Sequence, residues 1–365
     1  MLRADGTGPR RAAAPFRLPL SRRRFVGDAA KALAIGALAP AAGAFADSGP
    51  PSGKTGALGD TWAPVAKADG TMTVSLLGTG SPELRLNRFG ASTLVEAGGM
   101  RLVFDAGRGC ALRLGQLGIP LGSIDRVFLT HFHSDHLNGL QDLWATSYIR
   151  APYAGRIRPL ALQGPVGTVA LGRAMAEAMR ADVAIRGADE QVDPIATTLE
   201  SSEFDADGVV FERNGLRVTA FRVDHGEQVT PACGYRIDYA GHAVLLSGDT
   251  KPCENLVNHG DGLDLLVHEV CALSPGMEVD PRAARIMAHH TSPEDAGRIF
   301  ARLRPKLAVF SHVGELAWPG YVRVTDADVL ARTRATYDGP LAMGLDLMQW
   351  HIASSVTQLP FRANA

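Results

Sequence analysis

Aromatic residues are scarce in this chain, at 6% of 365 positions, while glycine (40) and proline (22) are plentiful. That balance disfavours a helical bundle and fits a sheet-rich architecture with many turns. Cysteine is also rare. Cys110, Cys233, Cys253 and Cys271 fall at spacings that match no zinc-ribbon pattern, so they read as small buried residues. Long apolar runs are missing as well. The apolar stretch near the N-terminus, Ala29 to Ala42, is too short and too rich in Ala and Gly to span a bilayer stably. No short-period repeat is visible, which excludes solenoid and propeller arrays. An excess of positive charge is lacking too, with 37 basic against 38 acidic residues.

The N-terminus reads as a targeting segment. Ser21-Arg22-Arg23-Arg24-Phe25-Val26 resembles the twin-arginine export signal, and Ala44-Phe45-Ala46 is a small-x-small cleavage pattern before Asp47. The expectation is a periplasmic or secreted protein with residues 1–46 removed. That segment holds eight Lys/Arg and two Asp, so the remainder carries 29 basic and 36 acidic residues, a net charge of −7. An acidic protein is a poor general nucleic-acid binder. Residues 47–70, rich in Gly, Pro, Ser and Asp, read as a linker. Residues 71–365 are expected to form the functional domain, with no membrane span.

Regular structure is expected from Thr71. Thr71 to Leu77 is a strand ending in Gly78-Thr79-Gly80, a turn without the third glycine of a dinucleotide fingerprint. Strands are predicted at Ala91 to Glu96, Arg101 to Phe104, Arg126 to Thr130 and Leu160 to Leu162. Two or three more fall within Thr197 to Val223. Tyr235 to Tyr239 and Ala243 to Leu246 form a hairpin around Ala240-Gly241, followed by strands at Leu263 to Val270 and Leu307 to Phe310. Helices are predicted from about Gly109 to Leu117, from near Asn138, over Val166 to Met179, after the Ser292-Pro293 cap, and over Thr325 to Tyr337. The alternation predicts an α/β four-layer αββα sandwich, two mixed sheets covered by helices.

The chemistry is concentrated in His131-Phe132-His133-Ser134-Asp135-His136, at the end of an apolar strand. Imidazoles two apart on an extended segment point the same way, so His131 and His133 can share a metal. Asp135 and His136 fall past the turn and can face a second. Nitrogen with one or two carboxylate oxygens suits a borderline cation such as Zn²⁺. Further candidates lie at strand ends downstream: His225, Asp249 after Gly248, and His312.

These residues resemble the metallo-β-lactamase superfamily, and within it the ribonuclease Z and arylsulfatase-like branch. The likeness spans about Thr71 to Val313. It is carried by Phe104-Asp105-Ala106-Gly107, Thr130 through His136, Gly234-Tyr235-Arg236, Ser247-Gly248-Asp249-Thr250, Val267-His268-Glu269 and Ala288-His289-His290-Thr291. It implies two Zn²⁺, with Mn²⁺ or Fe²⁺ as substitutes. His131, His133 and His225 would hold one, Asp135, His136 and His312 the other, and Asp249 would bridge. It also implies a catalytic histidine, expected to be His289 rather than His290, with Glu269 fixing its tautomer. Asp135 would orient a metal-bound hydroxide and accept its proton. Asp105 is expected to support the metal loop, and Arg85 and Arg88 read as solvated arginines with a possible role toward a substrate anion. The resemblance further implies a homodimer.

One departure bears on the substrate. Many bacterial tRNA-processing members carry a long arm between the Gly-Tyr-Arg and Gly-Asp-Thr strings; here only Asp238 to Ser247 intervenes. The expected function is therefore a dinuclear-zinc hydrolase of a small phosphodiester or sulfate ester, with tRNA disfavoured. A lactonase or β-lactam hydrolase on the same fold is the alternative enzyme. A non-catalytic metal-binding protein is the third reading.

Overall fold

The computed structural model describes residues 68–150 and 154–360. The expected export segment at 1–46, and the expected linker at 47–70 except for its last three residues, lie outside them. Strands β1 (Met72–Gly78), β2 (Ser92–Ala97), β3 (Met100–Phe104), β4 (Arg126–Phe128), β5 (Leu160–Pro165) and β6 (Leu199–Phe204) form one sheet. Strands β7 (Gly208–Arg213), β8 (Leu216–Arg222), β9 (Cys233–Tyr239), β10 (His242–Leu246), β11 (Leu265–Leu273), β12 (Leu307–Leu316) and β13 (Leu341–Met343) form the second. The chain then returns to the first sheet with β14 (Gln349–Ile352) and β15 (Val356–Gln358), and β14 pairs with β1. Both sheets are mixed. β1 to β3 run antiparallel and β3 to β6 parallel. β7 to β10 run antiparallel and β10 to β13 parallel.

The central strands are largely buried on both faces because both faces are covered, while β6 and β7 at the sheet edges are more exposed. On β3, Leu102 and Phe104 point between the sheets, toward Tyr235 and Ile237, while Val103 points to the helices. Phe104, Phe128 and Tyr235 tie the two sheets together, with ring centroids 5.0–5.4 Å apart. The outer face of the first sheet carries α1 (Cys110–Gln116), the one-turn α2 (Ser134–Leu137), α3 (Leu140–Ser147), α4 (Thr168–Ala178) and α5 (Arg180–Asp189). Leu114, Leu143, Trp144 and Met175 from this set join Leu94, Val103 and Val127 in one buried cluster. The second sheet is followed by α6 (Glu254–Asn258), α7 (Pro281–Met287), α8 (Pro293–Leu303) and α9 (Asp326–Arg334). Leu256, Ile299, Phe300 and Val329 pack there against Leu266 and Phe310. This is the four-layer αββα sandwich expected. Among the described residues, no helix is long and apolar enough to cross a membrane.

The local signals explain most boundaries. Ser292 accepts the amide of Asp295, with Pro293 in the first turn of α8. Ala240 and Gly241 both take positive φ, the two-residue turn that matches strand twist between β9 and β10. Helices α5, α6 and α7 were not expected from sequence. They bury no residue, Leu256 and Ala283 respectively, so they leave no apolar stripe to detect.

Arg88 corrects another expectation. It is not solvated: it is 2% exposed and donates to Thr79 Oγ1, to the Gly344 carbonyl and to both oxygens of Asp326. These bonds join the turn after β1 to the segments around α9 and β13. Replacing Arg88 by Ala leaves those acceptors unpaired, and about 2–3 kcal/mol should be lost in a urea unfolding titration.

Candidate metal centre

The loop after β4 is held in place from the loop after β3. Asp105 sits in the left-handed region at φ 57. Its carboxylate accepts the Thr130 amide and hydroxyl, each at 2.8 Å, and pairs with His136 Nδ1 at 2.7 Å. Thr130 Oγ1 also meets His131 Nδ1 at 2.9 Å. Both imidazoles are thereby engaged at Nδ1, which frees Nε2 of each for the centre. Gly107 lets the two loops touch: a Cβ there would lie 2.3 Å from the Asp135 carbonyl. Asp105-Ala106-Gly107 therefore supports the metal loop, as expected. Contrary to expectation, the helix does not wait for Asn138. Asp135 and His136 lie on α2 itself, in its first turn.

The downstream residues arrive from the second sheet. His225 follows β8, and its Nδ1 donates to the His289 carbonyl at 2.8 Å. Asp249 follows β10 behind Gly248, whose φ of 60 brings its backbone against Cys233. His312 does not end a strand, as the sequence suggests; it lies inside β12. There the pairing with β11 skips it, Glu269 facing Ser311 and Val270 facing Val313, and it takes φ 44. This one-residue bulge turns the imidazole toward the site while the strand continues to Leu316.

All seven expected ligands converge. His131, His133, His225 and Asp249 offer donor atoms within 4.8 Å of one another, and so do Asp135, His136 and His312. Asp249 joins the two groups. Its Oδ2 lies 3.7–3.8 Å from Nε2 of His225 and His131, and 3.2–3.3 Å from Nε2 of His312 and His136. His312 Nε2 is 3.1 Å from Asp135 Oδ2.

The donor set fits divalent cations. Nε2 of His131, Nε2 of His136 and Oδ1 of Asp249 are buried without any hydrogen-bond partner, a costly arrangement unless a cation is their partner. The charges agree. Burial works against the imidazolium of His136, but Asp249 and Asp105 outweigh it and lift the pKa well above the usual range. His312 is raised in the same way, against burial, by Asp249 and Asp135. Burial dominates at His131, pushed well below the usual range, and at His225, lowered to about 4. Divalent cations bound here would displace the protons that the buried carboxylates otherwise hold on His136 and His312.

The histidine pair beyond the ligands requires a correction. Glu269 was expected to fix His289. Instead its Oε1 meets His290 Nδ1 at 2.9 Å and also accepts the Thr250 amide at 2.8 Å. Burial opposes charge on His290, and Glu269 overrides it, raising the pKa to about 9. His289 contributes its carbonyl to His225, and burial lowers its own pKa. Thr291 Oγ1 donates to the Thr250 carbonyl, so the three strings around Asp249, Glu269 and His290 interlock. His268 is buried against Phe300, with Nδ1 on the Glu269 carbonyl. Arg85 pairs with Glu315 at 2.9 Å.

The family pattern described as a beta-lactamase superfamily domain matches residues 100–313. Ribonuclease Z from Mycolicibacterium gilvum (strain PYR-GCK) is 34% identical over 291 residues, covering 79% of this chain and 98% of that protein. Two solved structures share the fold. A metallo-beta-lactamase fold protein from Bacillus subtilis aligns with a TM-score of 0.59 at 16% identity, over 77% of this chain and all of its own. The short form of human tRNase Z aligns with a TM-score of 0.56 at 20% identity, over 77% of this chain and 98% of its own. The chain belongs to the beta-lactamase superfamily and is a metal-dependent hydrolase. Within that superfamily it is a homologue of the ribonuclease Z proteins.

Two outcomes follow from this geometry. Chelation should lower the melting temperature by about 10 °C, and added Zn²⁺ should restore it. Asp105→Asn should weaken metal affinity about 10–100-fold in a competition titration with a chromophoric chelator, because both Thr130 and His136 lose their anchor.

Proposed function

We propose that the protein is a dinuclear zinc phosphodiesterase acting on a small ester, and that His290 is its general acid. The observation that carries this reading is the Asp249 carboxylate, shared by two histidine-rich donor groups at the floor of an open cavity. His131, His133 and His225 would hold one Zn²⁺, Asp135, His136 and His312 the other, and Asp249 both. When bound, such a pair acidifies water and neutralises charge on the non-bridging oxygens of the ester.

The protein's own residues do the rest. Asp135 lines the cavity and is placed to orient the attacking water and take its proton. His290 also lines the cavity, with Nδ1 committed to Glu269 and Nε2 left to serve the leaving oxygen. An imidazole held charged by a buried carboxylate suits an acid, and such help typically gives ~10²–10⁴-fold. The backbone at His289 positions His225, through the main-chain carbonyl. The relatives named ribonuclease Z support the phosphodiester. The tight turn at Ala240-Gly241 between β9 and β10, with no room for an arm, supports a small substrate over tRNA. We also propose export through the twin-arginine segment at residues 21–26, tested by fusing residues 1–46 to a reporter that works only outside the cytoplasm.

In zinc-repleted protein, His290→Ala should cut kcat about 100-fold on esters with poor leaving groups. It should do far less with p-nitrophenolate, which leaves without a proton, and metal content should not change. A loss of that size in His289→Ala instead, with His290→Ala near wild type, would reverse the assignment. A panel of bis(p-nitrophenyl) phosphate, p-nitrophenyl sulfate, a chromogenic cephalosporin and a homoserine lactone should show turnover of the phosphodiester. Turnover of only the last two would mean carbonyl chemistry.

A further inference from the structure

The cavity above the ligand cluster, about 350 Å³, has a lining of two kinds. One part is His133, Asp135, Asp249 and His312 with the histidine pair. Another is apolar: Ile286, Leu316, Ala317 and Trp318. Two of the apolar residues ride on elements that lead into or carry the candidate site. Ile286 is in α7, four residues before His290, and Leu316 ends β12, four residues past His312. For Ile286 and Leu316 the spacing from the metal centre is thus set by secondary structure, while Ala317 and Trp318 lie in the segment just past β12.

Trp318 is held in one orientation. Its Nε1 donates to Asp280 Oδ2 at 3.0 Å, and the Arg282 guanidinium lies 5.1 Å from the ring centroid. Arg282 in turn pairs with Asp280 at 2.8 Å. Neither Asp280 nor Arg282 lines the cavity, so the polar end of the indole is satisfied outside it.

Charge in the lining is matched internally. Apart from the histidines at the metal centre, Arg323 is the one basic side chain among the described lining residues, and Glu83 engages both its terminal nitrogens at 2.6 and 2.8 Å. Glu315 accepts from Arg85. A second anionic group on the substrate would meet Glu83 and Glu315 with no cation left for it. An uncharged arm meets carbon.

We propose that the Ile286–Leu316–Trp318 wall is a leaving-group subsite for an uncharged aromatic or compact apolar alcohol. The substrate is then a phosphodiester with one such arm, and not a polynucleotide or a polyphosphate. Water supplies the oxygen of the new P–O bond, and the P–O bond to the arm breaks. His290 protonates the departing oxygen, and the proton released by the attacking water closes the balance through Asp135. This rests on the phosphodiesterase reading above.

The test is a binding comparison on zinc-repleted protein by isothermal titration calorimetry, with phenylphosphonate and methylphosphonate as probes. Both present the same anion and differ only in the arm. Phenylphosphonate should bind at least about tenfold more tightly, from burial of one ring. Trp318→Ala should reduce that ratio to about threefold or less. Ile286→Asp, at the edge of α7, should do the same and serves if Trp318→Ala folds poorly. Equal affinities in the wild type, or a ratio that neither variant changes, overturns the subsite. Failure of both phosphonates to bind protein shown to carry zinc sinks the phosphodiesterase reading itself, and the subsite with it.

Discussion

Asp249, 2% exposed, places a carboxylate among the imidazoles of His131, His136, His225 and His312. A buried carboxylate is tolerable only with strong compensation. Burial pushes its pKa up, and His312 and His136 overcome this and hold it well below the usual range. The rest of the site can be understood as the means of delivering those imidazoles. Two come from the first sheet and are oriented through Asp105 and Thr130. Two come from the second sheet, one steadied by the His289 carbonyl and one swung inward by a bulge. The centre therefore staples the sheets together at the strand ends, much as Phe104, Phe128 and Tyr235 do in the interior.

The same economy links the candidate ligands to the proposed acid. Glu269 holds the Thr250 amide, next to Asp249, and the His290 ring. A single buried carboxylate thus sets the position of the loop that carries Asp249 and the orientation of the His290 ring. Disturbing Glu269 affects both, so its loss is a poor probe of acid catalysis alone, whereas substitution of His290 removes only the proposed acid.

Much of this was legible in the sequence, for reasons that differ by residue. Strands β1 to β4 and β9 to β12 are mostly buried and rich in apolar residues, which is why their pattern survives in one dimension. The donors were legible because four crowd into six residues after an apolar strand, His225 and Asp249 follow strands next to Gly226 and Gly248, and His312 follows the apolar run Leu307 to Phe310. What escaped was set by three-dimensional context. The bulge at His312 depends on pairing with β11. The choice of His290 over His289 depends on which ring reaches Glu269, and adjacent residues give no clue to that. Arg88 looks like any surface arginine until Asp326, 238 positions away, folds onto it. The apolar wall formed by Ile286, Leu316 and Trp318 comes from a helix with almost no buried stripe, a strand that continues past His312, and the segment just beyond that strand.

The shared role of Asp249 is the central claim, and metal stoichiometry tests it most directly. Inductively coupled plasma mass spectrometry on zinc-repleted, exhaustively dialysed protein should give two metals per chain. Asp249→Ala should give fewer than one, since both donor groups lose a member at once. One metal per chain in the wild type, or two retained in Asp249→Ala, would contradict the account.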